Sequence, residues 1–429
     1  MQETEETRGM ASQATLPEKT PAPFLAPFRN RSYRVLWPAD LLTSWAFEME
    51  TLILGWYILV ETQSVIWLTV FGSLQFGGTL LAPLFGVACD RIGPRNLLCL
   101  MRATYAVLAS VLAVFALTGQ LTPLHVVGIA FIVGLVRPSD LSVRNTLIGG
   151  LMPPDLLMGA MGISRTTQDS SRIMGALAGA GVFALLGMGA AYLLITTFYV
   201  ASLALTLCIA RPVRDGTAPA PASPWREVRE GLAYVGTTPR LLAAMVLAFL
   251  VNFCAFPLSG GLLPYVARDI YGMDQAGLGL LAAGFATGGL VGSLMLSTVA
   301  RNIPAGRVMI SFTFVWYAML LMYSHVEFPA LGIALLMLAG FMQSLSMVPM
   351  AVMLLRSAEP RFRGRVMGVR MLAVYGMPLG LLLAGWLIQR FGFVATATGY
   401  CLFGLLATGA IALIWRRHLF PLAAPANGR

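Results

Sequence analysis

Apolar runs of about 20 residues recur along the whole chain and are separated by short polar segments. Each run is long enough to cross the roughly 30 Å hydrocarbon core of a bilayer as one helix. The pattern predicts twelve spans, at about 35–60, 65–89, 97–117, 123–146, 158–184, 188–210, 240–267, 275–300, 305–325, 328–355, 365–389 and 392–415. We therefore predict an all-α membrane protein with twelve transmembrane helices in two six-helix bundles.

The longest polar stretch inside the chain separates the sixth predicted span from the seventh, at 210–240. Within it, apolar residues at helical spacing lie opposite charged residues, which predicts a short amphipathic helix on the inner membrane surface. An ordinary soluble amphipathic turn is the alternative. The predicted organisation is a disordered cytoplasmic N-terminal tail (1–34), a first bundle (35–210), a linker with the amphipathic helix (211–239), a second bundle (240–416) and a cytoplasmic tail (417–429).

Composition agrees with a membrane protein, since 57% of residues are hydrophobic and 11% are charged, against roughly 25% charged in soluble domains. The net charge of +10 could indicate a nucleic-acid partner. However, 21 basic residues fall in the segments on the side of the termini, two fall on the other side and six lie within spans. This asymmetry predicts a multi-pass plasma (inner) membrane protein with both termini cytoplasmic, and no nucleic-acid partner.

Several kinds of chemistry are excluded by residue usage. Lys19 is the only lysine, so the chain cannot supply the GxxxxGK[ST] loop of an ATPase. The five cysteines lack CxxC spacing, and the three histidines are scattered. We expect no cofactor and no metal site. Because no nucleophile–base constellation appears either, we do not expect an enzyme.

The most specific motif lies after the second predicted span and reads GVACDRIGPRNLL. It resembles the cytoplasmic loop signature of the major facilitator superfamily, G-x-x-x-D-R-x-G-x-[RK]. The resemblance implies a gating role, in which the acid and the arginines contact the opposing bundle and stabilise the outward-facing state. A solvated turn with membrane-topology arginines is the alternative. The residues that match are Gly86, Asp90, Arg91, Gly93 and Arg95.

More narrowly, the chain resembles the branch of that superfamily that contains the enterobactin exporter and drug efflux proteins. The segments that carry this likeness are LILGWYILV, RNTLIGGLMPPDLLMGAMGI, WREVREGLAYV and RGRVMGVRMLAVYGMPLGLLLAG. One departure concerns the fifth span, where exporters often have Gly-Pro and this chain has Gly175 followed by Ala176. Gly175 and Gly179 still keep a GxxxG packing face.

Two glutamates, Glu48 and Glu50, lie near the middle of the first predicted span. An ionised carboxylate there costs about 3 kcal/mol, so it is rarely kept without a role. The two side chains point about 160° apart on a helix. We expect one acid to face the central cavity and exchange protons while the other pairs with a neighbouring helix. Glu48 is favoured because its helix face is more polar. The alternative is that arginines pair with both acids structurally.

Charged stripes in the fourth and fifth spans supply the possible partners of these acids. Arg137 occupies a place comparable to that of a span-4 arginine which, in the superfamily, often assists proton exchange. The proton-coupling candidates are Glu48, Glu50, Arg137 and Asp140. A bundle charge network is expected at Arg144, Arg165, Asp169 and Arg172. Structural salt bridges are the alternative for Asp140, Asp169 and Arg172, and Arg144 and Arg165 could simply mark the cytoplasmic boundary.

The second half has fewer charges within its spans. Its candidates for lining the substrate cavity are Asn252, Phe253, Gln343 and Met347. For the aromatic residues and methionines, plain packing is the alternative.

The function predicted from these features is secondary active transport of the major facilitator type. It would be proton-coupled (or Na⁺-coupled) export of a small amphipathic organic molecule by alternating access, performed by a monomer in the lipid bilayer. Two alternatives remain. One is uptake or facilitated diffusion of a metabolite by the same fold, and the other is a membrane scaffold or receptor that does not transport.

Overall fold

A computed structural model describes residues 25–210, 224–299, 304–359 and 362–420. The expectations for the tail before residue 25, for the linker at 211–223 and for the C-terminal tail after residue 420 lie outside these ranges. Within them, the chain forms helices and the short connections between them.

The helices are α1 (Arg31–Thr62), α2 (Val65–Leu74), α3 (Ala82–Ile92), α4 (Pro94–Leu117), α5 (Pro123–Leu151), α6 (Pro154–Leu207), α7 (Pro224–Thr237), α8 (Pro239–Phe256), α9 (Leu263–Tyr265), α10 (Gln275–Val299), α11 (Ala305–Ser324), α12 (Pro329–Ser357), α13 (Arg363–Leu372), α14 (Gly376–Phe391), α15 (Phe393–Ile414) and α16 (Arg416–Leu419). Two π-helical turns, Pro257–Gly261 and Val266–Ile270, continue α8 and α9.

Nine helical segments of the described chain are long and apolar enough to cross a membrane, and a bent pair of segments at 65–92 makes ten. Two features explain the difference from twelve. Helix α6 has 54 residues, about 81 Å at the rise of an α-helix, so it is too long for one crossing. It breaks at Gly187, whose φ of +77° is non-helical. Helix α1 carries Glu48 and Glu50 and falls outside the apolar set. The count of twelve stays a prediction.

Buried side chains form two hydrophobic clusters. One joins α1, α4, α5 and the end of α6, and it includes Leu36, Ile53, Met101 and Tyr192. The other joins α8 with α10 to α15 and also receives a few residues from α1 and α6. Each half of the described chain therefore has a core of its own.

Small residues allow close helix packing within and between these cores. A Cβ atom on Gly175 would lie 2.8 Å from Glu48 Cβ, and one on Gly179 would lie 2.9 Å from Met49 Cα. These glycines therefore form the packing face that their spacing predicts, against α1. In the second half, a Cβ on Gly340 would lie 2.1 Å from the Phe285 carbonyl oxygen, where α12 crosses α10.

The two halves contact each other through α6 with α10, α2 with α14, and the end of α1 with α9. Polar contacts add to the last one, because Arg268, in the π-helical turn after α9, donates from Nη1 to the Leu59 carbonyl at 2.7 Å and from Nη2 to Gln63 Oε1 at 2.6 Å. At the end that carries the start of α1, α5 makes no extensive contact with α12 or α13 among the described residues. The halves thus meet at the end of α1, and at the end where α1 begins α5 does not reach α12 or α13 to any extent.

The amphipathic helix expected in the linker is present as α7, but its partner differs from the expectation. Glu230 Oε2 lies 2.9 Å from Arg365 Nη1 of α13. The Tyr234 ring stacks on Phe362 at 4.3 Å between ring centroids, and Val235 is buried. Helix α7 thus packs on the protein beside α13, and its position on the membrane surface stays a prediction.

Candidate functional site

Glu50 occupies an enclosed position inside the first half. Its residue is 7% exposed, and the Tyr199 hydroxyl of α6 donates to Glu50 Oε2 at 2.8 Å. Tyr192, which is also buried, lies within the electrostatic reach of this carboxyl group. A single hydrogen bond from a neutral phenol compensates the burial of a carboxylate only in part. The hydrogen bond therefore holds the carboxyl group in place, but it does not balance the charge that the group carries when ionised.

Arg137 of α5 lies beside Glu50 but donates its hydrogen bonds to neutral groups. Its Nη1 donates to Thr51 Oγ1 and to Gln75 Oε1, both at 2.8 Å. The guanidinium carbon lies 4.5 Å from the centroid of the Phe47 ring. Among the described residues, no ion pair within 4.0 Å joins Arg137 to Glu50. The cation therefore acts on the acid at a distance.

Glu50, Thr51, Gln75 and Arg137 line a cavity of about 20 Å³. The remaining walls are apolar and come from α1, α2 and α5. A space of this size holds about one water molecule. The arrangement can pass a proton to or from the carboxyl group, but it cannot hold an organic substrate.

Glu48 takes a different neighbour. Its Oε1 lies 3.9 Å from Arg172 Nε of α6, and the two side chains are 33% and 55% exposed. An exposed guanidinium deep in a spanning helix is costly against lipid, so we assign this pair to the polar gap between the halves. The sequence favoured Glu48 as the proton carrier. The structure places Glu50, rather than Glu48, in the enclosed position.

A second group of buried charges lies in the same half. Asp40 of α1 contacts Arg102 of α4, which also contacts the Thr206 hydroxyl of α6. Asp140 Oδ1 lies 3.4 Å from Arg144 Nη2 on α5. All four charged residues are buried, and the interpretation of Arg144 as a marker of the cytoplasmic boundary stays a prediction. Sequence reasoning gave no role to Arg102, although an arginine within an apolar run is itself a signal.

The expected bundle charge network does not form as one unit. Arg165 pairs with Asp169 along α6 at 3.2 Å, Arg144 pairs with Asp140 along α5, and Arg172 pairs with Glu48. Only the last pair joins two helices. The charges therefore make separate contacts, as the alternative of structural salt bridges describes, and they do not form one network among the described residues.

The gating motif surrounds the turn from α3 to α4. Gly93 has a φ of +85° and ends α3, as the turn requires. Arg95 donates from Nε to the Ile209 carbonyl at 2.9 Å, which lies in its own half. Asp90 is exposed, and no atom would lie within 4 Å of a Cβ on Gly86. The contact of Arg95 with the opposing bundle that the resemblance implies is therefore absent from this conformation.

The four cavity candidates of the second half do not meet. Phe253 stacks on Tyr400 at 5.9 Å and lines an apolar cavity of about 480 Å³ between α8, α14 and α15. Asn252 donates to the Ala248 carbonyl of its own helix at 2.8 Å. Gln343 faces Gly289 of α10, and Met347 packs against the second core. Their assignment to one shared substrate cavity stays a prediction.

A metal site is also absent from the residues that the structure describes, because no three His, Cys, Asp or Glu side chains cluster there. The polar site in the first half thus consists of one acid, one cation and neutral hydrogen-bonding groups.

Comparison with known proteins relates most of the chain to transporters. It is 22% identical over 373 residues to macrolide efflux protein A of Streptococcus pyogenes, a match that covers 83% of this chain and 91% of that protein. It is 26% identical over 365 residues to an uncharacterized MFS-type transporter of Sinorhizobium fredii, covering 82% and 87%.

Solved structures share the fold at low sequence identity. A POT family transporter, solved in complex with a thioalcohol-conjugated peptide, superposes with a TM-score of 0.72 at 13% identity, covering 91% of this chain and 97% of that one. The nucleoside transporter NupG gives 0.69 at 14%, covering 92% and 100%. A bacterial homolog of the human lysosomal transporter Spinster, inward-facing and unoccupied, gives 0.68 at 14%, covering 94% and 100%.

The model of one transporter family matches this chain at residues 36–375 and again at 245–428. The protein is therefore a multi-pass membrane transporter and not an enzyme, and it belongs to the Major Facilitator Superfamily.

Proposed function

We propose that this transporter exports a small amphipathic organic molecule in exchange for protons, and that Glu50 carries the proton. The observation that supports this most is the state of Glu50: it is buried, it accepts one hydrogen bond from Tyr199, and it has no ion pair with the neighbouring Arg137. Such a carboxyl group can change its protonation state with small changes around it.

Arg137 supplies the coupling in this proposal. When Glu50 is ionised, the nearby guanidinium stabilises it. When Glu50 is protonated, Arg137 keeps its hydrogen bonds to Thr51 and Gln75, and its charge is uncompensated. The two protonation states therefore differ in the charge presented at the centre of the first half. A guanidinium at the cavity also disfavours Na⁺, which supports H⁺ as the coupling ion.

The path of the substrate follows from the gap between the halves. We propose that the first bundle (35–210) and the second bundle (240–416) rock as rigid bodies around this gap. We propose that the gap opens at the end where α1 begins, where α5 makes no extensive contact with α12 or α13, and that this end faces the cytoplasm, as the excess of arginines favours. Glu48 and Arg172, at the wall of the gap, would contact the polar part of an amphipathic substrate.

Direction and cargo rest on a relative. The chain resembles a macrolide efflux protein over most of its length, so erythromycin is the first compound to test. A plasma membrane location and a monomeric unit belong to the same proposal.

Inverted membrane vesicles test the proposal directly. Vesicles with an acidified lumen are given erythromycin, and the lumenal pH is followed with a fluorescent dye. Substrate export in exchange for protons raises the lumenal pH in the wild type, and Glu50→Gln abolishes the response. Glu61→Gln, which changes an exposed acid at the end of α1, is the matched control and keeps it. Erythromycin transport that ignores the pH gradient would instead indicate facilitated diffusion.

A further inference from the structure

We propose that Tyr375 of the second half is a positioning residue for the proton site. It holds the turn at Gly77–Leu81 in the second predicted span, and this turn keeps Gln75 bound to Arg137. The position of the second half is thereby linked to the proton affinity of Glu50. This inference rests on the proposed function of Glu50 and adds the route by which movement of the halves reaches it.

The proton site and the turn are connected through Gln75. This residue caps the end of α2, and the 3₁₀ turn Gly77–Leu81 begins two residues later. Gln75 Oε1 accepts hydrogen bonds from Arg137 Nη1 at 2.8 Å and from Thr51 Oγ1 at 3.3 Å. Glu50 lines the same small cavity as these three residues. The position of Gln75 therefore decides how closely the cation approaches the acid.

The Tyr375 hydroxyl bridges the backbone of this turn. It accepts a hydrogen bond from the Leu80 amide at 2.7 Å and donates one to the Gly77 carbonyl at 3.0 Å. Another bond between the halves lies just before the turn, where the Ser73 hydroxyl donates to the Pro378 carbonyl of α14 at 3.1 Å. The second half therefore holds the end of α2 and the turn that follows it at two points.

The turn is packed tightly between Tyr375 and α5. A Cβ atom on Gly78 would collide with the Leu135 carbonyl oxygen, two residues before the arginine of the proton site. On the other side, a Cβ atom on Gly376 would lie 2.5 Å from the Phe249 carbonyl oxygen, so the backbone next to Tyr375 lies directly against α8. Because packed backbones transmit displacement, a movement of the second half reaches the turn.

Arg137 is the cation that acts on Glu50. The titratable and charged groups around this carboxyl group are Arg137 from α5 and Tyr199 and Tyr192 from α6. Helices α2 and α10, which also pack on α1, carry no titratable residue. An approach of the guanidinium stabilises the carboxylate, whereas its retention on Gln75 favours the protonated acid.

The link works in both directions. In this conformation Tyr375 holds the turn, and Gln75 keeps Arg137 as its partner. Glu50 therefore favours its protonated state. When the halves move and Tyr375 leaves the turn, the guanidinium turns to the acid, which releases its proton. By reciprocity, protonation of Glu50 favours the form that has the Tyr375 contact. Since the proposed function has this form open to the cytoplasm, a proton taken up from outside returns the transporter to the state that loads substrate.

A pH titration of the full-length protein in liposomes, followed by the infrared absorption of protonated carboxyl groups, tests the link with the proton as the probe. Glu50→Gln identifies the band of Glu50. Tyr375→Phe removes both hydrogen bonds of the hydroxyl and keeps the ring, and Gln75→Leu removes the acceptor that holds the guanidinium. Tyr400→Phe is the matched control, because the Tyr400 hydroxyl also donates to a backbone carbonyl, that of Gly380 at 2.7 Å, but within the second half.

We expect Tyr375→Phe to lower the pH midpoint of the Glu50 band by about 0.5–1 unit, the size of effect that one neutral hydrogen bond produces. Gln75→Leu should shift the midpoint in the same direction. Combining the two substitutions should add little, because both act through one contact. A tyrosine that only supports the fold would leave the midpoint at its wild-type value, as we expect of Tyr400→Phe.

Three outcomes would overturn the link and leave the function of Glu50 intact. They are an unchanged midpoint in Tyr375→Phe, an equal shift in Tyr400→Phe, and shifts of Tyr375→Phe and Gln75→Leu that add fully. If Glu50→Gln removes no band, the proposed function is wrong and the link is wrong with it.

Discussion

Arg268 forms the polar contact that closes the two halves at the end of α1. Replacing it in Arg268→Met removes two hydrogen bonds, to the Leu59 carbonyl and to Gln63 Oε1, while keeping most of the side-chain volume. Hydrogen bonds from a charged donor contribute about 1.5–3 kcal/mol each. The side chain is 22% exposed and also pairs with Asp269 at 3.0 Å, so solvent and this neighbour reduce the loss.

We therefore expect the closed form at this end to lose about 1.5 kcal/mol relative to the alternative conformation, which changes the population ratio roughly tenfold. Distance distributions between spin labels at Glu61→Cys and Asp274→Cys, in a background without native cysteines, measure this shift. Both positions are exposed and lie in different halves. Arg268→Met is expected to broaden the distribution toward longer distances.

Arg390→Met is the matched control for this experiment. Arg390 is the other arginine assigned to the same side of the membrane, and it stacks on Trp386 of its own helix at 4.9 Å. It is expected to leave the distances unchanged. Equal effects of the two variants, or no effect of Arg268→Met, would refute the view that this contact holds the halves together.

Three further predictions concern stability. Arg102→Met leaves Asp40 buried without its partner, and we expect the free energy of unfolding to fall by about 3–5 kcal/mol. The double variant with Asp40→Leu should recover most of this loss. Thermal unfolding in detergent measures both, and fully additive effects of the two substitutions would contradict the prediction. Gly340→Ala forces α12 away from α10 and costs about 1–3 kcal/mol, whereas Gly128→Ala, where a Cβ meets no atom within 4 Å, leaves the melting temperature nearly unchanged. Tyr234→Ala removes the stack on Phe362, just before α13, so we expect proteolysis in the linker to accelerate. An unchanged cleavage rate would show that the stack does not hold α7.

The fold could be predicted from the sequence to a large extent, because the hydrocarbon thickness sets the length of every apolar run. The GxxxG face at Gly175 and Gly179 also followed from spacing alone. The connection at Gly187 did not, since α6 runs through the expected boundary between the fifth and sixth spans with a single non-helical residue. The linker helix was found by its periodicity, but its docking on α13 required three-dimensional contacts.

The candidate site was predicted only in part, for a physical reason. The helical wheel correctly separated Glu48 from Glu50, but it could not identify their neighbours. Tyr199 is 149 residues away from Glu50 along the chain, and nothing in the sequence pairs them. In the second half, lipid and protein core are both apolar, so periodicity does not distinguish the two faces of a helix. The structure shows that Phe253 stacks on Tyr400 of α15, a contact that the sequence does not predict.

The central claim is that Glu50 couples transport to protons, and one comparison in proteoliposomes tests it most directly. Erythromycin accumulation driven by a pH gradient is measured beside erythromycin counterflow, which requires substrate binding and movement of the halves but no net proton transfer. The account predicts that Glu50→Gln loses gradient-driven accumulation and keeps counterflow. Accumulation at the wild-type level in Glu50→Gln, or an equal loss of both activities, would contradict it.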